Sequence, residues 1–225
     1  MNSNDIFMIT SVIRTGTIPW SYCSVRSAFS TEERFEQTLN TIQSIRDKAP
    51  GSTIILAEGS ELSNEMEETI KHAVDHYIPC YKNKVIHDIC TQNGMKGYGE
   101  AIKTMEVIHY INDKQLSFRR FFKISGRYYL NSAFSHENFS LEQFSFKLFN
   151  TTAGSTVLYS VPYLLFNEYK RTLQNIITIY ETTGPQSYET LLPMMCEPKK
   201  LIEQLGVCGY IGVPNENGLK DFYES

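Results

Sequence analysis

Two cations bracket a break in one of the most apolar stretches of the chain. Phe121, Phe122 and Ile124 suit a buried strand, the strand stops at Ser125-Gly126, and Lys123 and Arg127 stand on either side of the stop. Such a turn brings fixed N–H donors and positive charge to the edge of a sheet, where open α/β folds bind ligands. The plainer alternative is that both cations only solvate a strand end. The chemistry on offer is anion binding, because a guanidinium meets phosphate oxygens with a planar fork and keeps its charge. Lys96-Gly97-Tyr98-Gly99, ahead of an apolar helix, is a second such place, where free amides and the helix dipole suit a phosphate. Glu100, in the first turn of that helix, competes for the same positive end. Glu58 closes another apolar run as Glu58-Gly59-Ser60; it is placed either to accept from a base or ribose hydroxyl or to cap a turn. His72 and His76 are four residues apart with Asp75 between them, close enough to share a helix face, but no third ligand stands at a metal-site spacing, so surface histidines are expected. The five cysteines, Cys23, Cys80, Cys90, Cys196 and Cys208, form no Cys-x-x-Cys pair. They point to buried thiols in a reducing compartment.

These residues need a scaffold, and the hydrophobic periodicity supplies one. Ile6 to Val12 and Thr53 to Ala57 are apolar runs of strand length. Between them Ser30-x-x-Glu33 is a capping box opening a helix with Phe35, Leu39, Ile42 and Ile45 on one face, stopped at Pro50-Gly51. Residues 16–29 form a long irregular excursion. A β-loop-α-β start of this kind builds parallel sheets. Further helices are expected from Asn64, from Ala101 to Ile111, from Pro162 to about Glu181, from about Tyr188, and from Lys199 to Leu205. Strands are expected around Val85-Ile86, at Val157 to Val161 and at Val207 to Val213. The segment 132–150, with Phe134, Phe139, Phe144, Phe146 and Phe149, suggests a hairpin or flap, and a packed hairpin fits better than a sugar- or lipid-stacking surface.

With 225 residues, ordinary apolar content and no linker or repeat, the economical reading is one domain over 1–225, α/β with a mostly parallel central sheet flanked by helices. A net charge of −4 argues against a nucleic-acid-coating protein. The sequence has no apolar run of membrane-spanning length, and its first residues lack the basic region of a signal peptide. Both point to a cytoplasmic protein without an integral membrane segment.

The order of these features resembles the nucleotide-sugar half of a GT-A fold glycosyltransferase: strand, helix, Ile55-Leu56-Ala57-Glu58-Gly59-Ser60, helix, Lys96-Gly97-Tyr98-Gly99-Glu100-Ala101, then Phe121 to Arg127. The same Lys-Gly-x-Gly-Glu-Ala run with the later Phe-Lys-Ile-Ser-Gly-Arg-Tyr is similar to the WavE-type group of polysaccharide-synthesis and virus-encoded glycosyltransferases. The resemblance implies a nucleotide-sugar-binding half over 5–130 and an acceptor half over 131–213; residues 214–225 are polar and expected to be a loosely held tail. It implies a UDP- or GDP-sugar donor, a saccharide hydroxyl acceptor, and donor contacts from the loop after the first strand, at Ser11 and Arg14. It also puts the acceptor base in the last third, where Glu189 in Ser187-Tyr188-Glu189-Thr190 stands ahead of Glu181 and Glu168. A first-turn helix carboxylate is the other role for Glu189.

The sequence departs from the family where the family holds its metal. The two carboxylates of the DXD motif would bind Mn²⁺ or Mg²⁺ against the donor diphosphate; this chain has Ser125-Gly126-Arg127 there. Transfer without a metal is the resulting expectation, with Arg127, and Lys96 or Lys123, taking the place of the cation. A non-catalytic binder with the same fold is the rival. A sugar-phosphate nucleotidyltransferase is disfavoured, since Ile13 to Trp20 lacks the basic glycine-rich loop expected after the first strand.

Overall fold

The computed structural model describes residues 4–212 and 222–225. Its centre is β1 (Asp5–Ser11), buried on both faces and paired in parallel with β2 (Thr53–Glu58) on one side and β4 (Arg120–Ser125) on the other. A seven-stranded, mostly parallel sheet grows outward from it. β3 (His76–Pro79) lies beyond β2, and β7 (Leu158–Pro162), β6 (Phe144–Phe146) and β8 (Lys199–Leu201) lie beyond β4. β7 runs antiparallel to β4. The register sets Thr10 beside Ser125 and Ser11 beside Glu58, so three of the strands end their polar residues along one edge.

Period-two alternation explains why the sheet needs helices on both faces. Ile6, Met8, Ile55, Ala57 and Phe121 face one core, which is covered by α4 (Lys96–Asp113), α5 (Phe166–Thr183) and α6 (Tyr188–Met195). Phe7, Ile9, Ile54, Leu56, Phe122 and Ile124 face the other, covered by α1 (Thr31–Lys48) and α2 (Asn64–Ala73). Each such side chain contributes about 1.5–3 kcal/mol on burial, so the two layers fix the strand register firmly. Ser30 and Glu33 form the capping box that starts α1, whereas Ser63, not Asn64, caps α2.

The other face of α1 is polar and does the positioning. Thr38 donates to the Gly126 carbonyl at 3.1 Å, Thr41 to the Tyr128 carbonyl at 2.7 Å, and the Ser44 hydroxyl accepts from the Leu130 amide at 2.9 Å. These bonds hold the backbone that leaves β4 through β5 (Tyr128–Leu130). That short strand joins a small antiparallel sheet with β9 (Val207–Tyr210) and β10 (Phe222–Glu224). Residues 222–225, expected to be loosely held, are therefore docked: β10 pairs with β9, and Ser225 exchanges backbone bonds with Val207. The rest of the 214–225 tail, and Val213 at the end of the expected closing strand, fall outside the described residues.

Three local expectations fail for recognisable reasons. Val85-Ile86 lies in α3 (Lys84–Gln92), where the Asn83 side chain caps the first turn and Ile86 and Cys90 turn inward at helical spacing. Lys199 to Leu205 begins with β8, because an edge strand beside β6 satisfies more of its backbone than an isolated turn of helix would. The phenylalanines of 132–150 are packing residues around a single strand. Phe139, Phe144 and Phe146 are buried and only Phe149 is largely exposed.

Candidate active site

The edge where β1 and β4 end opens into a cavity, and cations dominate its wall. Ser11, Ser125, Gly126 and Arg127 line it from the sheet, and Lys96, Gly99, Glu100 and Lys103 line it from the first turns of α4. Arg34 of α1 and Arg26 of the 16–29 excursion complete the ring, with Trp20 and Tyr22 on the same wall.

Each cation is held differently. Arg26 donates to the carbonyls of Ile18 (2.7 Å), Asn93 (3.0 Å) and Cys90 (2.6 Å), and its guanidinium lies 3.8 Å from the Trp20 ring centre. It ties the irregular excursion to the C-terminal end of α3. Lys103 donates to the Ser11 carbonyl at 2.7 Å, which pins the end of β1 to α4. Lys96 stands 3.9 Å from Glu189. Burial works against its charge, but Glu189 and Glu100 together hold its pKa above the ordinary lysine value. Arg34 is 8% exposed and donates to two neutral groups, the Val12 carbonyl at 2.8 Å and the Ser27 hydroxyl at 3.4 Å. Burial, and then the nearby charge of Arg127, draw it down to about 9, so it remains a cation at neutral pH. Arg127 has no carboxylate partner among the described residues, and its Nε is buried without a hydrogen-bond partner. Its head group rests against the backbone of Gly212.

The N-terminus of α4 has no side-chain cap, and its first turns lie on the cavity wall. With five cations and a positive dipole end around it, this space suits a multiply charged anion with several oxygens.

No family model matches the chain, and no curated protein matches its sequence. Among solved structures, the glycosyltransferase GlyE of Streptococcus pneumoniae TIGR4 aligns at a TM-score of 0.51 and 10% identity, over 90% of this chain and 46% of that one. The chain thus spans less than half of GlyE. A glycosyltransferase involved in glycosylation of the major capsid of PBCV-1 aligns at a TM-score of 0.44 and 9% identity, over 88% of this chain and 80% of that one. At such identities the likeness with GlyE is one of fold. The fold is GT-A-like.

Within that fold the residues singled out from the sequence separate into two groups. Ser11, Lys96, Gly99, Ser125, Gly126 and Arg127 meet at the cavity. Glu189 stands at its rim through Lys96, with its carboxylate 3.5 Å from the Thr156 hydroxyl. Glu181 is engaged by the Tyr98 hydroxyl at 3.0 Å.

The others lie elsewhere. Lys123 is fully buried: it pairs with Glu100 and donates to the Ser125 hydroxyl at 2.9 Å and the Thr156 carbonyl at 2.7 Å. All three ammonium protons are spent, so it supports the turn from beneath instead of facing a ligand. Glu100 answers that charge: burial raises its pKa, but Lys123 and Lys96 outweigh burial and hold it below the ordinary value. Glu100 therefore does not compete for the helix end as expected. Glu58 is fully buried, and one carboxylate oxygen accepts from the amides of Ile13 (3.1 Å) and Ser60 (2.8 Å) and from the Ser60 hydroxyl (2.5 Å). It staples two loops together and does not line the cavity. Arg14 is exposed, with its amide bonded to the Ser60 hydroxyl at 2.9 Å, and it too lies off the cavity.

The expected phosphate loop at 96–99 is already helix. Gly97 serves packing, since a Cβ there would stand 2.1 Å from the Tyr180 hydroxyl and 2.5 Å from the Tyr188 Cβ. Nor does the Ser125–Arg127 turn offer free amides. Those of Ser125, Gly126 and Arg127 donate to the carbonyls of Val157, Thr10 and Ser125. His76 belongs to β3 and bonds Tyr110 at 3.0 Å, while α2 stops at Ala73, so the two histidines share no helix face.

A divalent cation does not suit this turn. The Ser125 hydroxyl already accepts from Lys123, a guanidinium stands where a carboxylate ligand is needed, and no three His, Cys, Asp or Glu side chains converge among the described residues. No described helix is long and apolar enough to cross a membrane.

The sequence reading missed Arg26, Arg34 and Lys103. Two of the three carried a signal. Lys96, Glu100 and Lys103 repeat at four and three residues, a charged stripe on an otherwise apolar helix. Arg34, Thr38 and Thr41 form a polar stripe beside Ile42 and Ile45.

Proposed function

We propose that this chain is a glycosyltransferase that moves a sugar from a UDP- or GDP-sugar donor to a saccharide hydroxyl, and that fixed cations replace the family's divalent ion. The observation that carries this reading is Arg127, without a carboxylate partner among the described residues, on the cavity wall at the ends of β1 and β4, in the place where the GT-A resemblance puts DXD. As the bond between the sugar and the diphosphate breaks, negative charge grows on the leaving phosphate oxygens. Arg127 and Lys96 are positioned to meet it without reorganisation. Ser11, Ser125, Gly126 and Gly99 shape the donor pocket around them. Glu189 takes the proton of the attacking hydroxyl, and Lys96, 3.9 Å away, links it to the donor pocket. Lys123 acts through the turn it braces and not on the ligand.

A panel of UDP- and GDP-sugars, with and without saccharide acceptors, tests the reading through release of nucleoside diphosphate. Turnover that survives EDTA is the expected result; turnover lost to EDTA and restored by Mn²⁺ would remove the fixed-cation reading. Binding with no turnover under any condition would favour the non-catalytic binder. Glu189→Gln is expected to slow transfer by roughly 10²–10⁴-fold while donor affinity is retained. Unchanged transfer in that variant would take the base role from Glu189.

A further inference from the structure

Arg34 is a buried guanidinium with no carboxylate in contact among the described residues; the charge of Arg127 opposes it, and the buried Glu58 carboxylate offsets that only in part. Buried charges are normally paired with an opposite charge, because removing an ion from water is costly. Three of the other cations near this edge have such a partner or several acceptors, whereas Lys103 has the Ser11 carbonyl at 2.7 Å. Lys123 has Glu100, Lys96 has Glu189, and Arg26 has three carbonyl oxygens and the Trp20 ring. Arg34 has one carbonyl and one hydroxyl, and Arg127 has no carboxylate among the described residues. The two guanidiniums line one cavity, Arg34 from α1 and Arg127 from the turn after β4, and their like charges oppose one another.

We propose that Arg34 and Arg127 form a two-guanidinium clamp for a diphosphate, with Arg34 a donor-binding residue that grips the oxygens on the α1 side. An anion with two or more charges and several oxygens supplies a contacting counter-charge to both arginines. A single phosphate is a poorer fit because one group would have to satisfy two forks carried on different elements. That the diphosphate belongs to a nucleotide sugar rests on the function proposed above; the clamp itself does not depend on transfer occurring.

Inorganic pyrophosphate and orthophosphate are the probes, titrated calorimetrically into the full chain. Pyrophosphate is expected to bind more tightly than orthophosphate. Arg34→Lys, which keeps the charge but loses the fork, is expected to weaken pyrophosphate roughly ten- to a hundredfold. Where lysine is not tolerated, Arg34→Gln keeps one N–H for the Val12 carbonyl and is expected to weaken binding at least as much. A thermal double-mutant cycle with Arg34→Gln and Arg127→Met separates the clamp from a structural role. Without anion the two arginines should destabilise one another, and in saturating pyrophosphate the sign of the coupling should reverse. Wild-type pyrophosphate affinity in the Arg34 variants, or a coupling of unchanged sign, would overturn the clamp. Arg34-dependent pyrophosphate binding without turnover of any sugar donor would leave the clamp standing and remove the transferase reading. Turnover that is indifferent to Arg34 would do the opposite.

Discussion

Gly212→Ala moves the Arg127 head group without changing its charge. A Cβ on Gly212 would stand 1.7 Å from Nη1, 2.4 Å from Cζ and 2.8 Å from Nη2 of Arg127. The Gly212 carbonyl accepts from the Ala28 amide at 2.9 Å, so the backbone is anchored and the flexible end of the arginine has to yield. Ordinary contact begins at 3.4 Å, which requires a retreat of at least about 1.7 Å. For a unit charge near a protein surface, moving from about 3 Å to about 4.7 Å from a phosphate oxygen loses about 2 kcal/mol, or roughly thirtyfold in affinity. Pyrophosphate titration and nucleoside diphosphate release should both show a loss of that order, with the melting temperature nearly unchanged. The control is the same substitution in an Arg127→Met background, where it should be silent. Unaltered pyrophosphate affinity in Gly212→Ala, or an equal loss in the Arg127→Met background, would refute the assignment of Arg127 to the anion.

Two further outcomes follow from residues away from the anion. Gly97→Ala is expected to cost about 1–3 kcal/mol of stability through overpacking against Tyr180 and Tyr188, and to leave pyrophosphate affinity intact; a stable variant with weakened binding would restore Gly97 to a phosphate cradle. At the opposite end of the sheet, burial raises the Asp5 carboxyl, but hydrogen bonds from His136 and Arg120 (2.8 Å) outweigh it and hold its pKa below the ordinary value. A depressed carboxylate stabilises the fold above its unfolded pKa of about 3.9, and that stability is lost as pH falls through the lower folded value. Asp5→Asn should therefore lower the melting temperature at pH 6 and flatten its fall between about pH 4 and 2; an unchanged acid profile would exclude Asp5 as a source of acid sensitivity.

The sheet was legible because its strands are short apolar runs bounded by polar turns, and because the Ser30–Glu33 capping box fixes one helix start. Register then follows from burial on both faces of β1. Val85-Ile86 and Lys199 to Leu205 were not legible: a few apolar residues fit either period, and their states were decided by the Asn83 cap and by the neighbouring β6 edge. At the site, sequence order placed Arg127 at the ends of β1 and β4, since a strand terminus is a one-dimensional fact. It misplaced Lys123, because strand alternation puts that side chain on the face where Glu100 waits, 23 residues away in sequence. Glu58 misled for a similar reason. Its strand does end at the correct edge, but the carboxylate turns inward to the amides of Ile13 and Ser60, contacts that no spacing encodes. The polar stripe of Arg34, Thr38 and Thr41 marked a face with polar partners, but nothing in residues 30–48 reveals that this face meets the end of β4.

A diffusible metal and a fixed guanidinium meet the same phosphate charge at different cost to the scaffold. A metal arrives with the donor or binds between carboxylates that neutralise it, so the empty site carries little net charge. Arginines stay charged in the empty site and repel one another, and the fold has to hold them in place against that repulsion. The polar stripe of α1 answers this requirement. Arg34 is fixed to the Val12 carbonyl, while Thr38, Thr41 and Ser44 fasten the backbone on which Arg127 is carried. The neutral Lys123–Glu100 pair beneath the turn adds rigidity without adding to the excess charge. Helix and turn are thus bound to each other by groups whose positions do not depend on the ligand. In the proposed clamp, that rigidity lets two like charges wait in the cavity for the anion that would pair them.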